Sequence, residues 1–392
     1  MKNIYCLISL FFCLHFNVFG QKEIYISGGN RVSAMLCANN DVYVWGSNKS
    51  GDLGVIGGLG INNTIDTAIK IPTKVIFPGG PISILQVHAG SGSHFLAIDC
   101  NSNVWSWGNN LYGQVGNGTS NNIVTVPSKV KAGVLTGNPL YDDGLGNLKG
   151  VSAVYGGNNN SFAILNDGRV LAWGSNGKGK SFSGWNDDSY GQVGDGSVGN
   201  CQSTANYLNC GLLTSAPTVI ATPVLVKNGL TGSALTNVIK ISAGDGVTLA
   251  LVDTETPLDG LGTVYSWGNG KLGLLGRTLQ TTGPYVGTYN DNPNVNDWDF
   301  SNVDVSGSAY PVMQGTVALK NISQISAGDV FAMALDNNGF IWSWGEGSWN
   351  NATGINNIGG AGNENSLKGP YPLKVRKGLV DAADHDGTFL KA

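Results

Sequence analysis

The chain has 392 residues, of which 12% are charged and 59 are glycine, and it carries a net charge of −4 at neutral pH. So little charge, with no clustered Lys or Arg, excludes electrostatic capture of nucleic acid. Heavy glycine together with Asn, Ser and Thr is the composition of turn-rich β structure with a polar, nearly neutral surface.

Residues 1–20 predict a secretory signal peptide. Lys2 leads a short apolar run, Ile4 to Phe19, with a cut at Gly20–Gln21. The run is too short to span a membrane, which takes about 20 apolar residues, and no later segment is apolar enough. Neither Cys6 nor Cys13 has a lipid-attachment context. Removal of Lys2 leaves 21 basic against 26 acidic side chains, a net charge of −5.

From residue 24 onward one pattern recurs. An apolar step ends in a small pair: Ile26-Ser27-Gly28-Gly29, Val87-His88-Ala89-Gly90, Val154-Tyr155-Gly156-Gly157, Ile241-Ser242-Ala243-Gly244 and Ile325-Ser326-Ala327-Gly328. Each leads to a Trp-Gly pair, at Trp45, Trp107, Trp173, Trp267 and Trp344. The last small residue precedes the Trp by 16 or 17 positions in four units and by 23 (244 to 267) in the fourth. Between them lies strand, turn, strand, as in Phe162–Leu165, Asn166-Asp167-Gly168 and Val170–Trp173. Asp-Gly between β-rich runs marks a hairpin, because glycine accepts positive φ without a Cβ clash.

A glycine turn follows at Gly51–Gly54, Gly113–Gly116, Gly191–Gly194 and Gly273–Gly276, and is degenerate at Asn350–Gly354. Each unit then reaches a strand expected to start at its proline: Pro72 to Val75, Pro127 to Val130, Pro223 to Val226, Pro311-Val312 and Pro372 to Val375. Proline fits a strand start because its missing N–H costs no ladder bond there. Such a unit cannot bury a core alone but can by stacking on its neighbours, so the repeat predicts an all-β propeller over residues 21–392. The repeated Trp residues read as packing between blades.

The unit resembles that of the regulator of chromosome condensation family, a seven-bladed β-propeller, from residue 24 to the end. The resemblance implies an exported, bacterial-type member that serves as an interaction platform, as bacterial β-lactamase inhibitors of this family do. The family's Gly-His-Ser opening is mostly absent; His94 and His385 sit in that region. Val380-Asp381-Ala382-Ala383 reads as the opening of a sixth unit. Seven blades would then require a longer protein, of which this chain is expected to be a fragment.

Differences between units indicate where to look for function, since the shared parts are scaffold. One insertion is Gly133 to Lys149, with Leu140-Tyr141-Asp142-Asp143. Unit three has two: Lys178 to Ser189, where Trp185, Asp187, Asp188 and the adjoining Tyr190 are candidate binding residues, and Val198 to Ala216. The last, Arg277 to Tyr310, offers Tyr285, Tyr289, Trp298 and Phe300. Loop aromatics suit recognition by their large rigid contact area; the competing reading is a small satellite core over the blade edge. Asp291, Asn294, Asp297 and Asp299 are closely spaced oxygen ligands that could hold calcium, against a solvated loop of Asx turns. Cys201 and Cys210 are expected to pair in an oxidising compartment, with free thiols as the alternative. No bridge is expected between Cys37 and Cys100, which occupy different repeat positions.

Two motifs mislead. Gly174 to Ser181 matches the phosphate-loop letters, and Gly268 to Gly273 a dinucleotide fingerprint, but both are the turn after a Trp-Gly pair. His88, His94 and His385 form no catalytic constellation in sequence, and no Gly-x-Ser-x-Gly elbow occurs. The leading functional expectation is a secreted or cell-surface propeller presenting its insertions to a protein or glycan partner, without nucleic acid and without cofactor unless calcium binds. The alternative is an extracellular enzyme using loop carboxylates of units three and four. Exchange activity on the small GTPase Ran, known in the family, ranks last because export and the lack of a basic tail oppose it.

Overall fold

The computed structural model describes residues 25–48, 68–177, 191–197, 219–253, 260–269, 274–277, 305–329, 331–345 and 369–375. Blade one is β1 (Tyr25–Gly28), β2 (Val32–Leu36), β3 (Val42–Ser47) and β4 (Ala68–Lys74). Blade two is β5 (Ile84–Gly90), β6 (His94–Asp99), β7 (Val104–Asn110) and β8 (Asn122–Lys129). Blade three is β9 (Val151–Gly156), β10 (Asn160–Leu165), β11 (Val170–Ser175) and β12 (Val219–Leu225). Blade four is β13 (Val238–Ala243), β14 (Val247–Val252), β15 (Thr263–Asn269) and β16 (Val305–Pro311). A short hairpin, β17 (Met313–Gln314) with β18 (Val317–Ala318), leads to blade five: β19 (Ile322–Ala327), β20 (Phe331–Asp336), β21 (Ile341–Gly345) and β22 (Gly369–Lys374). Each blade is a four-stranded antiparallel meander, its strands hydrogen-bonded in chain order. Among the described residues no helix is long and apolar enough to cross a membrane.

The chain packs as two compact units. One is built from Met1–Asn166, Leu171–Ser175 and Val219–Val224, and the other from Asp167–Val170, Asn176–Thr218 and Leu225–Ala392. Blades one and two, with nearly all of blade three, belong to the first; blades four and five belong to the second.

The joints between blades explain the recurring letters. In the first unit the Trp173 indole Nε1 donates to the Gln114 carbonyl, in the glycine turn of the preceding repeat, at 2.8 Å. In the second unit Trp267 donates to the Gln192 carbonyl at 2.9 Å and Trp344 to the Leu274 carbonyl at 3.0 Å. All three rings are fully buried, as is Trp107. The glycine closing each turn makes room for the ring. A Cβ on Gly116, Gly194 or Gly276 would lie 2.5, 2.7 or 2.8 Å from the indole Nε1, and each has positive φ. A second joint links innermost strands: the Ser27 hydroxyl accepts the Ala89 N–H, and the Ser242 hydroxyl accepts the Ala327 N–H, both at 2.9 Å.

The glycine after each Trp is also obligatory. Gly46, Gly108, Gly174, Gly268 and Gly345 have φ between 99° and 121°. A Cβ on Gly46, Gly174 or Gly268 would collide with the backbone oxygen of Arg31, Asn159 or Gly246, just before the neighbouring strand.

The outer strands correct one expectation. They do not start at proline: β4 begins at Ala68, β8 at Asn122, β12 at Val219 and β22 at Gly369, with Pro72, Pro127, Pro223 and Pro372 well inside. The pairing shows why. Ser106 pairs with Ser128 and Gly108 with Val124, so three residues of β8, ending in Pro127, face Trp107 alone. The same bulge places Pro72 opposite Trp45 and Pro372 opposite Trp344. A bulged residue makes no ladder bond, so proline's missing N–H is harmless there.

Two hairpins carry a further device. The Asp99 carboxylate accepts the backbone N–H groups of Asn101 and Asn103 and the Trp105 indole N–H. Asp336 does the same for Asn338, Phe340 and Trp342. The Asp-to-Trp spacing of six that carries it is readable in the sequence, but its meaning needs the tight turn.

Replacing Gly116 by Ala is predicted to cost about 2–4 kcal/mol, the sum of a left-handed backbone penalty and overpacking against Trp173. Gly137 has a similar φ of 83° with nothing within 4 Å of a Cβ, so Gly137→Ala should cost only about 1 kcal/mol. Urea unfolding of the two variants measures the difference.

Candidate functional site

The buried histidines belong to a joint. His88 occupies the position held by Ser27 and Ser242 in other blades, and its Nδ1 accepts the Gly156 N–H at 3.1 Å. Acceptance requires the neutral ring, and burial pushes His88 down to about 4. His94 is completely buried. The Ser161 hydroxyl donates to the Gln114 carbonyl at 2.7 Å, so its hydrogen is committed. His94 Nε2, 2.9 Å from that hydroxyl oxygen, is therefore the donor of the next bond. Its Nδ1 is left without a partner among the described residues. Burial first, and nearby His88 second, push His94 down to about 3, against a smaller raising effect of the Asn160 backbone. The Gln114 carbonyl thus receives both Ser161 and the Trp173 indole, and His94, Ser161, Gln114 and Trp173 form one buried network. Both of these histidines are committed to the joint between blades two and three.

The insertion Gly133 to Lys149 is the one described in full, and it is a rigid structure. The chain turns at Gly133–Leu135 in a single 3₁₀ turn. It is tied by bridges between Lys131 and Asn147 and between Asp142 and Leu148. Asp142 works as an internal cap: its carboxylate accepts the N–H groups of Gly137, Gly144 and Gly146 at 2.6, 2.8 and 2.9 Å. These bonds hold its carboxyl below the usual range. Asp143 accepts the N–H groups of Leu145 and Asn147, the Asn147 side-chain amide and Lys129 Nζ, the last at 3.0 Å. Burial acts to raise Asp143, but the Asn147 and Lys129 side chains with those N–H groups outweigh it and hold the carboxyl far below the usual range.

Within this frame Leu135, Tyr141 and Leu148 face inward and are buried. Val134, Leu140 and Leu145 face outward, exposed at 56–79%. At the single aromatic of this insertion the satellite-core reading is therefore right. The exposed side chains of this insertion are aliphatic rather than aromatic, and the run of Leu140, Tyr141 and Leu145 around two Asp caps is the sequence signal that marks them.

Trp185, Asp187, Asp188, Tyr190, Tyr285, Tyr289, Trp298 and Phe300 lie outside the described residues, as do Asp291, Asn294, Asp297, Asp299, Cys201 and Cys210. Of the scaffold tryptophans, Trp107, Trp173, Trp267 and Trp344 are buried between strands, while Trp45 is partly buried. Among the described residues no three His, Cys, Asp or Glu side chains gather as a metal site. Cys37 and Cys100 are separate, partly buried thiols.

Comparison with known proteins places this geometry. The regulator of chromosome condensation (RCC1) repeat matches residues 39–98 and 101–164, and a second form of the same repeat matches 84–114 and 151–180. The chain is 27% identical over 331 residues to the mouse (Mus musculus) E3 ubiquitin-protein ligase HERC2, an alignment covering 79% of this chain and 6% of that protein. It is 23% identical over 331 residues to the guanine nucleotide exchange factor SRM1 of Saccharomyces cerevisiae, covering 84% of this chain and 54% of that protein. The chain therefore spans well under two thirds of these curated relatives. Among solved structures, human WBSCR16 superposes with a TM-score of 0.55 at 18% identity, covering 91% of this chain and 68% of that one. Prp20p from Saccharomyces cerevisiae, whose structure was reported with its binding to Gsp1p and histones, gives 0.53 at 18%, covering 90% and 63%. These likenesses identify the fold.

Two predictions arise from the site. A histidine whose folded pKa lies below its unfolded value of about 6.5 stabilises fully above that pH and loses the contribution as pH falls. The free energy of unfolding should drop between pH 6.5 and 5, by up to about 1.4 kcal/mol per pH unit per histidine, and melting temperature should fall with it. His88→Ser, which keeps an acceptor for Gly156, should flatten that slope in thermal melts across the window. Asp142→Ala should open the insertion: limited trypsin digestion is expected to cleave at Lys131 or Lys149 in the variant while the parent resists.

Proposed function

Since the chain is a regulator of chromosome condensation repeat protein with an RCC1-like β-propeller fold, we propose that it is a secreted or cell-surface binding propeller whose insertions dock a protein partner. The observation that carries this reading is the insertion 133–149. It holds Val134, Leu140 and Leu145 in water on a frame fixed by Asp142 and Asp143. Exposing three aliphatic side chains on a preorganised loop costs solvation energy in the free chain, and a partner that covers them recovers it with little ordering entropy. Aliphatic tips suit an apolar protein surface better than a glycan, which is held by aromatic stacking and polar contacts. The aromatics of the other insertions, Trp185, Tyr285, Tyr289, Trp298 and Phe300, are further candidate contacts by residue type. Export is supported by Lys2 and the apolar run to Phe19. The exchange activity in the name of SRM1 is not carried to this chain, which shares 23% identity with it.

The expected outcome is that the full chain retains a specific extracellular protein on a column, and that Leu140→Asp combined with Leu145→Asp weakens retention at least about tenfold. Both side chains are exposed, so the double variant should melt like the parent. Equal retention by parent and variant would remove the insertion from the reading.

A further inference from the structure

The aliphatic tips of the insertion 133–149 stand in a positive setting within an acidic chain. The chain as a whole carries a net charge of −4. The described residues of the first unit hold six basic side chains, Arg31, Lys70, Lys74, Lys129, Lys131 and Lys149, against four carboxylates, a net charge of +2. All four carboxylates are committed inside the molecule. Asp41 pairs with Lys74 at 2.7 Å. Asp99 is buried and accepts the Trp105 indole N–H together with N–H groups of its own hairpin. Asp142 caps Gly137, Gly144 and Gly146. Asp143 is closed by Lys129 and the Asn147 amide.

Lys131 and Lys149 stand apart from these pairs. Neither makes an ion pair among the described residues. Lys131 is bridged to Asn147, two residues beyond Leu145, and its Nζ donates to the neutral Asn147 side chain at 3.2 Å. The Lys149 N–H donates to the Tyr141 carbonyl, beside Leu140. The two cations therefore flank the aliphatic tips on the loop that carries them. β8 precedes this loop and β9 follows it in the same unit, so its tips are not exposed for want of an adjoining repeat.

We infer, on the binding reading just given, that the partner docked by this insertion is an acidic protein surface with an apolar centre. Val134, Leu140 and Leu145 would enter the apolar centre, and Lys131 and Lys149 would meet carboxylates at its edge. A cation with no carboxylate of its own at an interface edge speeds the approach of an acidic partner and repels a basic one. The carboxylates that could have met a basic surface are already taken by loop N–H groups and by Lys129. The aliphatic tips supply contact area, and the two lysines set the sign of the partner's charge.

The probe is a library of random peptides displayed on phage and selected on the full chain. Enriched peptides should carry Asp or Glu on both sides of apolar residues. Synthetic copies should bind the chain, and binding should weaken as salt rises, since salt screens exposed charges. Lys131→Glu combined with Lys149→Glu should weaken binding at least about tenfold, because attraction becomes repulsion at both positions. Lys131→Gln combined with Lys149→Gln keeps a donor for Asn147, should melt like the parent, and should weaken binding by less in the same direction. Ile71→Asp, at an exposed site on β4, should bind like the parent. Enrichment of basic or uncharged peptides overturns the acidic partner. Peptides lost with Leu140→Asp and Leu145→Asp but held equally by both pairs of lysine variants also overturn it, and leave the apolar docking reading standing. Peptides that ignore leucines and lysines alike, or a selection that enriches none, overturn both. Vesicles of phosphatidylcholine and phosphatidylserine are the second probe. Binding to them that needs both the leucines and the lysines would assign the site to an anionic membrane and overturn the proposal.

Discussion

The fold rests on one bond repeated: a buried tryptophan indole donating to a carbonyl in the glycine turn of the preceding repeat. An unsatisfied indole N–H in a dry interface is expensive, and so is an unsatisfied carbonyl. The bond removes both costs while the ring buries up to about 250 Å² of surface. Everything around it is arranged to let the two approach. The turn's closing glycine leaves space for the ring at Gly116, Gly194 and Gly276. The glycine after the Trp lets its strand pass a neighbouring carbonyl. The outer strand bulges opposite the Trp, and that bulge is where proline can reside.

The same joint shows how a repeat tolerates change. Where blades one and four use a serine to accept the next blade's N–H, blade two uses His88, and the network beside it uses His94. A histidine can replace a serine there only as the neutral ring. His88, His94 and Ser161 are thereby taken up in the hydrogen bonds of the joint. The segments that the joint does not constrain are left free to differ between units.

The insertion 133–149 is such a segment, and it is built by backbone capping rather than by a core. Two adjacent carboxylates each close a set of loop N–H groups, so the loop needs few buried side chains and can leave three aliphatic ones in water. Rigidity and exposure together distinguish it from a merely polar connection, since a preordered loop loses little entropy on docking.

Features set by local backbone demands were legible from the residues alone: the hairpins, the glycine after each Trp, the glycine turns and the count of Trp-bearing units. Each requires a positive φ or a large aromatic at a fixed spacing, and few residues satisfy it. Features set by a neighbour were not legible. The start of the outer strands was misplaced at proline, because a bulge exists only relative to the paired strand. Tyr141 and Leu145 could not be sorted into buried and exposed, because that depends on which side of the loop faces the blade. Ile26 and Ile325 carry the same letter at the same repeat position, yet one is exposed and the other buried. The sequence by itself determined the blade and its repetition, because these are local requirements of φ and spacing. Only the tertiary structure decided which faces are covered, because burial is a property of the surface brought against a residue and not of the residue.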